Sequence, residues 1–188
     1  MSIELLIKKN LVGLVNGDFV LPFEVEAKSL AKGQVVTHFG NVEDKLLFLD
    51  EGVVQVNTLK GEEERILEFV FPGEFFSAYT SFLLQEPSDV QIITLRPCKV
   101  SIIKRENLLR ANQVSLIAAH LSLYVAQQLF LSRARREKDF LTLSAEERYR
   151  LLLEKDPNVV LQIPGNKIAS YLGIKPESLS RIRKSIIP

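Results

Sequence analysis

The sequence predicts an α+β fold: an N-terminal antiparallel β-roll or jelly-roll, one long helix, and a small helical unit at the C-terminus. Three observations predict it. Between residues 31 and 104, short runs rich in Val, Ile, Leu and Phe are broken by Gly33, Gly40, Gly52, Gly61 and Pro72-Gly73. Strands of that length with turn signals every ten residues or so fit an antiparallel sandwich or barrel. From Glu106 to Phe140 neither Pro nor Gly occurs, and apolar residues recur at helical spacing. After Gly165 the apolar positions take the spacing of two short helices that cross.

Length and composition bound the rest. A chain of 188 residues is one ordinary domain plus a small companion, and 46% hydrophobic residues supply a packed core. No apolar run reaches the roughly 18 residues of a membrane span. The opening MSIELLIKKNLVG lacks the basic, apolar and small-residue succession of a signal peptide, so a cytoplasmic protein with no membrane partner is expected. Cys98 is the single cysteine, beside only His38 and His120. That excludes an internal disulfide framework and argues against structural zinc or a cysteine-held iron–sulfur cluster. Neither metal nor cofactor is expected, and neither histidine sits in a recognisable motif. Ser77, Ser81 and Ser101 lack the G-x-S-x-G setting of a nucleophile, so no catalytic residues are assigned and an enzyme is not expected.

Charge is unevenly placed. From Arg133 onward twelve Lys/Arg face seven Asp/Glu, a balance of +5, which leaves −4 in residues 1–132. A basic end on an acidic body is the balance of a nucleic-acid-binding tail.

Along the chain, residues 1 to about 28 read as a helix and a leading strand. KGQVVTHFG, KLLFLDEGVVQVNT, ERILEFVFPGE and VQIITLRPCKVSIIK read as strands, with Phe75–Gln85 as a short helix between them. In the long helix Val114, Ile117, Leu121 and Tyr124 share one face. Leu116, Leu123 and Phe130 share another, with Ala119 and Ala126 between. A helix of about 30 residues, roughly 45 Å, overhangs a barrel of 100 residues. One face therefore packs on the barrel and the other on a second copy. Ser144 and Glu147 form a capping box for the next helix, Asp156-Pro157 stops it, and VVLQIPG reads as extended.

The final segment carries the function. Counted from Gly165, Ala169 is fifth and Gly173 ninth; Ile168, Leu172, Ile174, Leu179 and Ile182 are fourth, eighth, tenth, fifteenth and eighteenth. This is the helix-turn-helix pattern. The alanine lets two helices cross closely, the glycine ends the first, and the aliphatics fix the crossing angle. Pro176 opens the second helix, where its missing N–H costs nothing. The bland alternative is a helical hairpin that never meets DNA. Outward on the second helix lie Lys175, Glu177, Ser178, Arg181 and Lys184, and with Pro176 they are the DNA-binding candidates of that helix. In a major groove Arg181 can bond guanine O6 and N7, and Glu177 can accept from cytosine N4. Asn166, Lys167, Arg183 and Lys184 are assigned to phosphates.

Taken together, the β-roll with its KGQVV, LLFLDEGVVQV and FPGEF turns, the two-faced helix and PESLSRIRK resemble the CRP/FNR family of bacterial transcription regulators, in particular short forms from Bacteroidetes-like bacteria. The resemblance spans essentially the whole chain. It implies a cyclic-nucleotide-binding-like sensor domain over 1–111, a dimerisation helix over 112–138 and a helix-turn-helix DNA-binding domain over 139–188. The expected dimer seam is Val114, Ile117, Leu121, Tyr124 and Gln128. It also implies double-stranded DNA with a pseudo-palindromic operator, a homodimer, and RNA polymerase as partner if the protein activates. Glu177 and Arg181 match the family's R-E-T-x-x-R, whereas Pro176 replaces its leading arginine. The wing that comes after the recognition helix in the family is expected to be reduced or missing. The effector pocket is placed at Gly73, Glu74, Phe75, Phe76, Ser77, Ser88 and Asp89. There Gly73-Glu74 keeps the family's ribose-binding half, and Ser88-Asp89 stands where its phosphate-binding arginine and small hydroxyl residue belong. A small-molecule effector, if one exists, is then not cyclic AMP, unless Arg96 or Lys99 reaches in. The competing reading is a stand-alone small-molecule-binding or structural dimer module without DNA-binding activity.

Overall fold

A computed structural model describes residues 2–11 and 19–186; the expected continuation of the first helix past Leu11 lies outside the described residues. Helix α1 (Ile3–Asn10) is capped by the Ser2 hydroxyl, which accepts from the Leu5 amide, and turns Ile3, Leu6 and Ile7 inward. Eight strands come next: β1 (Glu26–Leu30), β2 (Val35–Thr37), β3 (Lys45–Glu51), β4 (Val54–Lys60), β5 (Glu63–Val70), β6 (Phe75–Phe76), β7 (Val90–Thr94) and β8 (Cys98–Lys104). They form two four-stranded antiparallel sheets in the orders β1-β8-β3-β6 and β2-β7-β4-β5. The alternation of buried and half-exposed residues along β7 has the period of two that a sheet facing a core requires.

Leu47, Leu49, Val54, Val56, Val70, Phe76, Val90, Ile92 and Val100 fill the space between the sheets. Gly52, at the β3–β4 turn, has φ +103°, and a Cβ there would meet Cys98 Sγ and the Pro97 carbonyl oxygen at 2.6 Å. No side chain fits at that closure.

Phe75 and Phe76 were expected to open a helix. They instead pair as β6 with Phe48 and Leu47, and helix α2 (Tyr79–Leu84) starts three residues later. The two phenylalanines are both buried, one on each side of the first sheet, and only a strand turns adjacent side chains to opposite faces. Ser81 binds α2 to the barrel: its hydroxyl accepts from the Glu43 amide and donates to the Glu86 carbonyl.

The long helical stretch is divided. Helix α3 (Arg105–Val114) ends at Ser115, whose backbone is extended at φ −132°, ψ 119°. Helix α4 (Leu116–Thr142) begins there, with the Ser115 hydroxyl accepting from Ala118 N–H. The break lets Leu108 and Ala111 of α3 and Ala118, Leu121 and Val125 of α4 converge on one core with α1, Phe48 and Phe82. A serine, with no Pro or Gly beside it, can turn the chain here because its hydroxyl caps the first amides of α4.

Helix α5 (Ala145–Lys155) starts at the expected capping box. The expected extended stretch beyond it is instead one helical turn, α6 (Pro157–Val160), then a bend through which Val160 and Ile163 reach the core. Helices α7 (Gly165–Leu172) and α8 (Pro176–Ile186) close the chain.

Candidate nucleic-acid interface and sensor site

Helices α7 and α8 meet over a short turn at Gly173, whose φ of +70° ends α7. A Cβ at Gly173 would also stand 3.2 Å from the Phe140 ring, so the turn is fitted to the end of α4. Ile168, Ala169, Leu172 and Leu179 are buried where the two helices cross. On the other side of α8, Lys175, Pro176, Glu177, Arg181 and Lys184 are exposed, and Ser178 is half-exposed. No ion pair joins Glu177 to Arg181 among the described residues, so both charged heads stand free in solvent.

Arg183, expected to touch a phosphate, is held from inside the protein. It is half-buried, its Nε donates to the Tyr149 hydroxyl at 3.2 Å, and its Nη2 is buried with no acceptor. It lines a groove with Gly165, Asn166, Pro176 and Lys184, at the N-terminus of α7. Pro164, the residue before α7, offers no side chain to the first amides. The Asn166 side-chain oxygen accepts from the Lys167 amide. A groove at the start of a helix, bordered by the cationic side chains of Arg183 and Lys184, suits an anionic oxygen.

The C-terminal helices and the barrel share one core. Val53, Ile66, Phe69 and Phe71 cluster with Tyr149, Leu152, Val160, Ile163, Ile168, Leu172 and Leu179. The Phe69 and Tyr171 rings lie 5.0 Å apart, and the Ile66 amide donates to the Ser170 hydroxyl. The Arg136 guanidinium lies 4.0 Å from the Tyr171 ring centre, donating to the Tyr171 and Ile66 carbonyls. Sequence reasoning missed Arg136 and Tyr149, because nothing in their spacing says that α4 and α5 border α7.

The two faces of α4 are now assigned. Leu121 is 0% exposed inside its own chain's core, with Ile117 and Tyr124 packed beside it, so this is the barrel side and not a seam between copies. Gln128 also lies on that side, on a cleft facing Phe75. Val114, 88% exposed, precedes the break at Ser115. The uncovered face carries Leu116 (70% exposed), Leu123 (55%) and Phe130 (70%). Both faces are apolar, so periodicity alone could not tell which of them meets the barrel.

Of the residues assigned to the effector pocket, Gly73, Glu74 and Phe75 line one cleft between the barrel, α4 and α5, whereas Phe76, Ser77, Ser88 and Asp89 lie outside it. The Glu74 carboxylate accepts from the Phe71 amide and pairs with Lys155 Nζ at 3.3 Å, toward α5. Burial alone lowers the Lys155 pKa, but Glu74, then Glu68 and Tyr171, outweigh it and leave the pKa raised. Gly73 donates to the Leu49 carbonyl in the β5–β6 turn. Phe75 and Phe76 are core residues on opposite sides of the sheet. The buried Ser77 hydroxyl donates to the Lys45 carbonyl, and that of Ser88 to the Val90 carbonyl. Asp89 is exposed. Among the described residues no cluster suited to a metal ion occurs.

Residues 27–113, which span most of the double sheet and α3, match the family model described as a cyclic nucleotide-binding domain. The whole arrangement is similar in fold to CRP/FNR regulators. FixK2 from Bradyrhizobium japonicum superposes with TM-score 0.73 at 19% identity, covering 87% of this chain and 84% of that one. The c-di-GMP-responsive global regulator CLP of Xanthomonas campestris gives 0.67 at 21% identity, covering 86% of each chain. A protein from Eubacterium rectale described as a CRP/FNR-family regulator gives 0.67 at 18% identity, over 86% of this chain and 77% of that one. No curated protein matches the sequence.

Proposed function

We propose that the chain is a homodimeric, sequence-specific DNA-binding transcription regulator whose α7–α8 pair is a helix-turn-helix. The observation that carries the reading is the outer face of α8: Lys175, Glu177, Arg181 and Lys184 are exposed together on a helix whose other face is sealed. Arg181 and Glu177 read bases, Lys175, Lys184 and Lys167 hold phosphates, and the groove of Arg183 and Asn166 takes a further backbone phosphate at the α7 N-terminus. The three-part division, with a sensor domain over 1–111, a dimerisation helix over 112–138 and a DNA-binding domain over 139–188, belongs to the same reading.

Dimerisation runs through the uncovered face of α4. Leu116, Leu123 and Phe130 are seven apart, with Ala119 and Ala126 three residues after the first two. That is the a/d repeat of a two-stranded coiled coil, and left bare it would be a long apolar stripe. A two-fold pair presents two copies of α8 to half-sites about 34 Å apart. The sensor barrel does not take cyclic AMP, because its interior is filled by Phe76, Val90 and Ile92 and no arginine lies between Arg65 and Arg96.

The test is selection from a random DNA pool followed by anisotropy titration. Recovery of a pseudo-palindrome bound at least a hundredfold above unrelated DNA at 150 mM salt is expected. Equal binding to all sequences, or none, rejects the reading.

A further inference from the structure

We infer that the cleft between the barrel, α4 and α5 is a binding site for an amphipathic organic monoanion: an apolar, preferably aromatic, body bearing one carboxylate, sulfonate or phosphate ester. The cleft has a volume of about 380 Å³. Its floor is apolar, from Leu6 of α1, Val70 and Phe75 of the barrel, Leu129 of α4 and Leu152 of α5. Ligand sites of this size pair such a floor with a few placed polar groups.

The polar groups are unevenly satisfied. Arg135, Arg136, Arg148 and Lys155 face Glu68, Glu74 and Asp139 across the cleft, an excess of one positive charge. Glu74 is already taken by Lys155, and Glu68 accepts from the Ser132 hydroxyl at 2.7 Å. The three guanidiniums have no carboxylate partner among the described residues. Arg136 and Arg148 donate to backbone carbonyls, and Arg135 is exposed with no partner. Arg148 Nε is buried without an acceptor. Arg135, exposed at the cleft with no partner among the described residues, marks where the charged end of a bound group belongs. An anion there gains a charge-assisted bond that water in an open groove does not match.

The site is separate from the barrel interior. It lies on the Tyr124 and Gln128 side of α4, not on the Leu116, Leu123 and Phe130 face, so a second copy on that face leaves the cleft open. It is also independent of the DNA-binding reading, since the test reads ligand alone.

The probe is 1-anilinonaphthalene-8-sulfonate, a flat aromatic body with one sulfonate, titrated into the full chain by fluorescence. Saturable binding of one molecule per chain is expected. Arg135→Glu should weaken it at least tenfold, whereas Lys28→Glu, on β1, should leave it within twofold of the parent. The chain has no tryptophan, so Gln128→Trp places the sole indole at the cleft and fills part of it. This variant should lose most of the bound dye while its circular dichroism matches the parent. Dye binding absent from the parent, or equally strong in Arg135→Glu and Lys28→Glu, overturns the site. So does undiminished binding to a folded Gln128→Trp chain.

Discussion

Arg181 and Arg183 stand two positions apart on α8 with different surroundings. Arg181 projects into solvent with no ion pair among the described residues, free to form a bidentate contact with a guanine edge. Its replacement by alanine is expected to cost about 1–3 kcal/mol of operator binding and to relax selectivity at one base pair. Anisotropy titrations against the operator and a single-base variant check this. An undiminished preference removes the base-reading role. Arg183 is fixed by Tyr149 before any DNA arrives. The exposure of the first arginine was legible in the sequence because the spacing of the aliphatic residues sets which positions of the second helix turn outward. The inward pull on the second was not, because it depends on Tyr149, 34 residues earlier, standing against α8.

The elements were legible where local chemistry decides them. Strands between glycine turns, the Ser144 box and the α7–α8 pair are set by residues within a few positions of one another. The split at Ser115 and the β6 strand were not, since both answer to burial against distant segments. The capping box has a pH consequence. Hydrogen bonds from the Ser144 side chain, then from its backbone, hold the Glu147 carboxyl below its ordinary pKa. A carboxyl with a lowered folded pKa stabilises above its unfolded pKa and loses that contribution as pH falls through the folded value. Ser144→Ala is therefore expected to lower the melting temperature at pH 7, with the gap to the parent narrowing below about pH 4. A gap constant from pH 7 to pH 3 rules the linkage out. On α4, Leu123→Asp places a charge on each copy at the proposed seam and leaves the Leu121 side untouched. Analytical ultracentrifugation should find the parent dimeric at micromolar concentration and the variant monomeric, with unchanged helix content.

Across the whole molecule, the barrel and the C-terminal helices were both foreseen, but not how they meet. Each apolar stripe in the sequence points to a core without saying which other stripe shares it. Ile66 and Phe69 of β5 are three apart, which in a regular strand would put them on opposite faces; a bulge opposite Val56 and Asn57 turns both to one layer, and that layer includes α7. The same limit applies to the expected effector pocket. The Gly73-Glu74 turn resembled a ribose site, yet its carboxylate holds Lys155 at the border of the two units. Titration calorimetry with cyclic AMP and cyclic GMP should give no dissociation constant below about a millimolar, as expected for a phosphate without its arginine. Low-micromolar binding of either would refute a filled barrel.

The core joining Phe69 and Phe71 to Tyr149 and Leu172 bears on how the chain can be divided. Cutting it near Leu143 separates two pieces that each depend on the other to cover an apolar face. Proteolysis there should yield fragments that co-elute under native conditions and part only in denaturant. A recombinant piece ending before α5 should be poorly soluble, and α5 to α8 made alone should collapse or aggregate instead of binding an operator. Grafting these helices onto another carrier would need the β5 surface to travel with them.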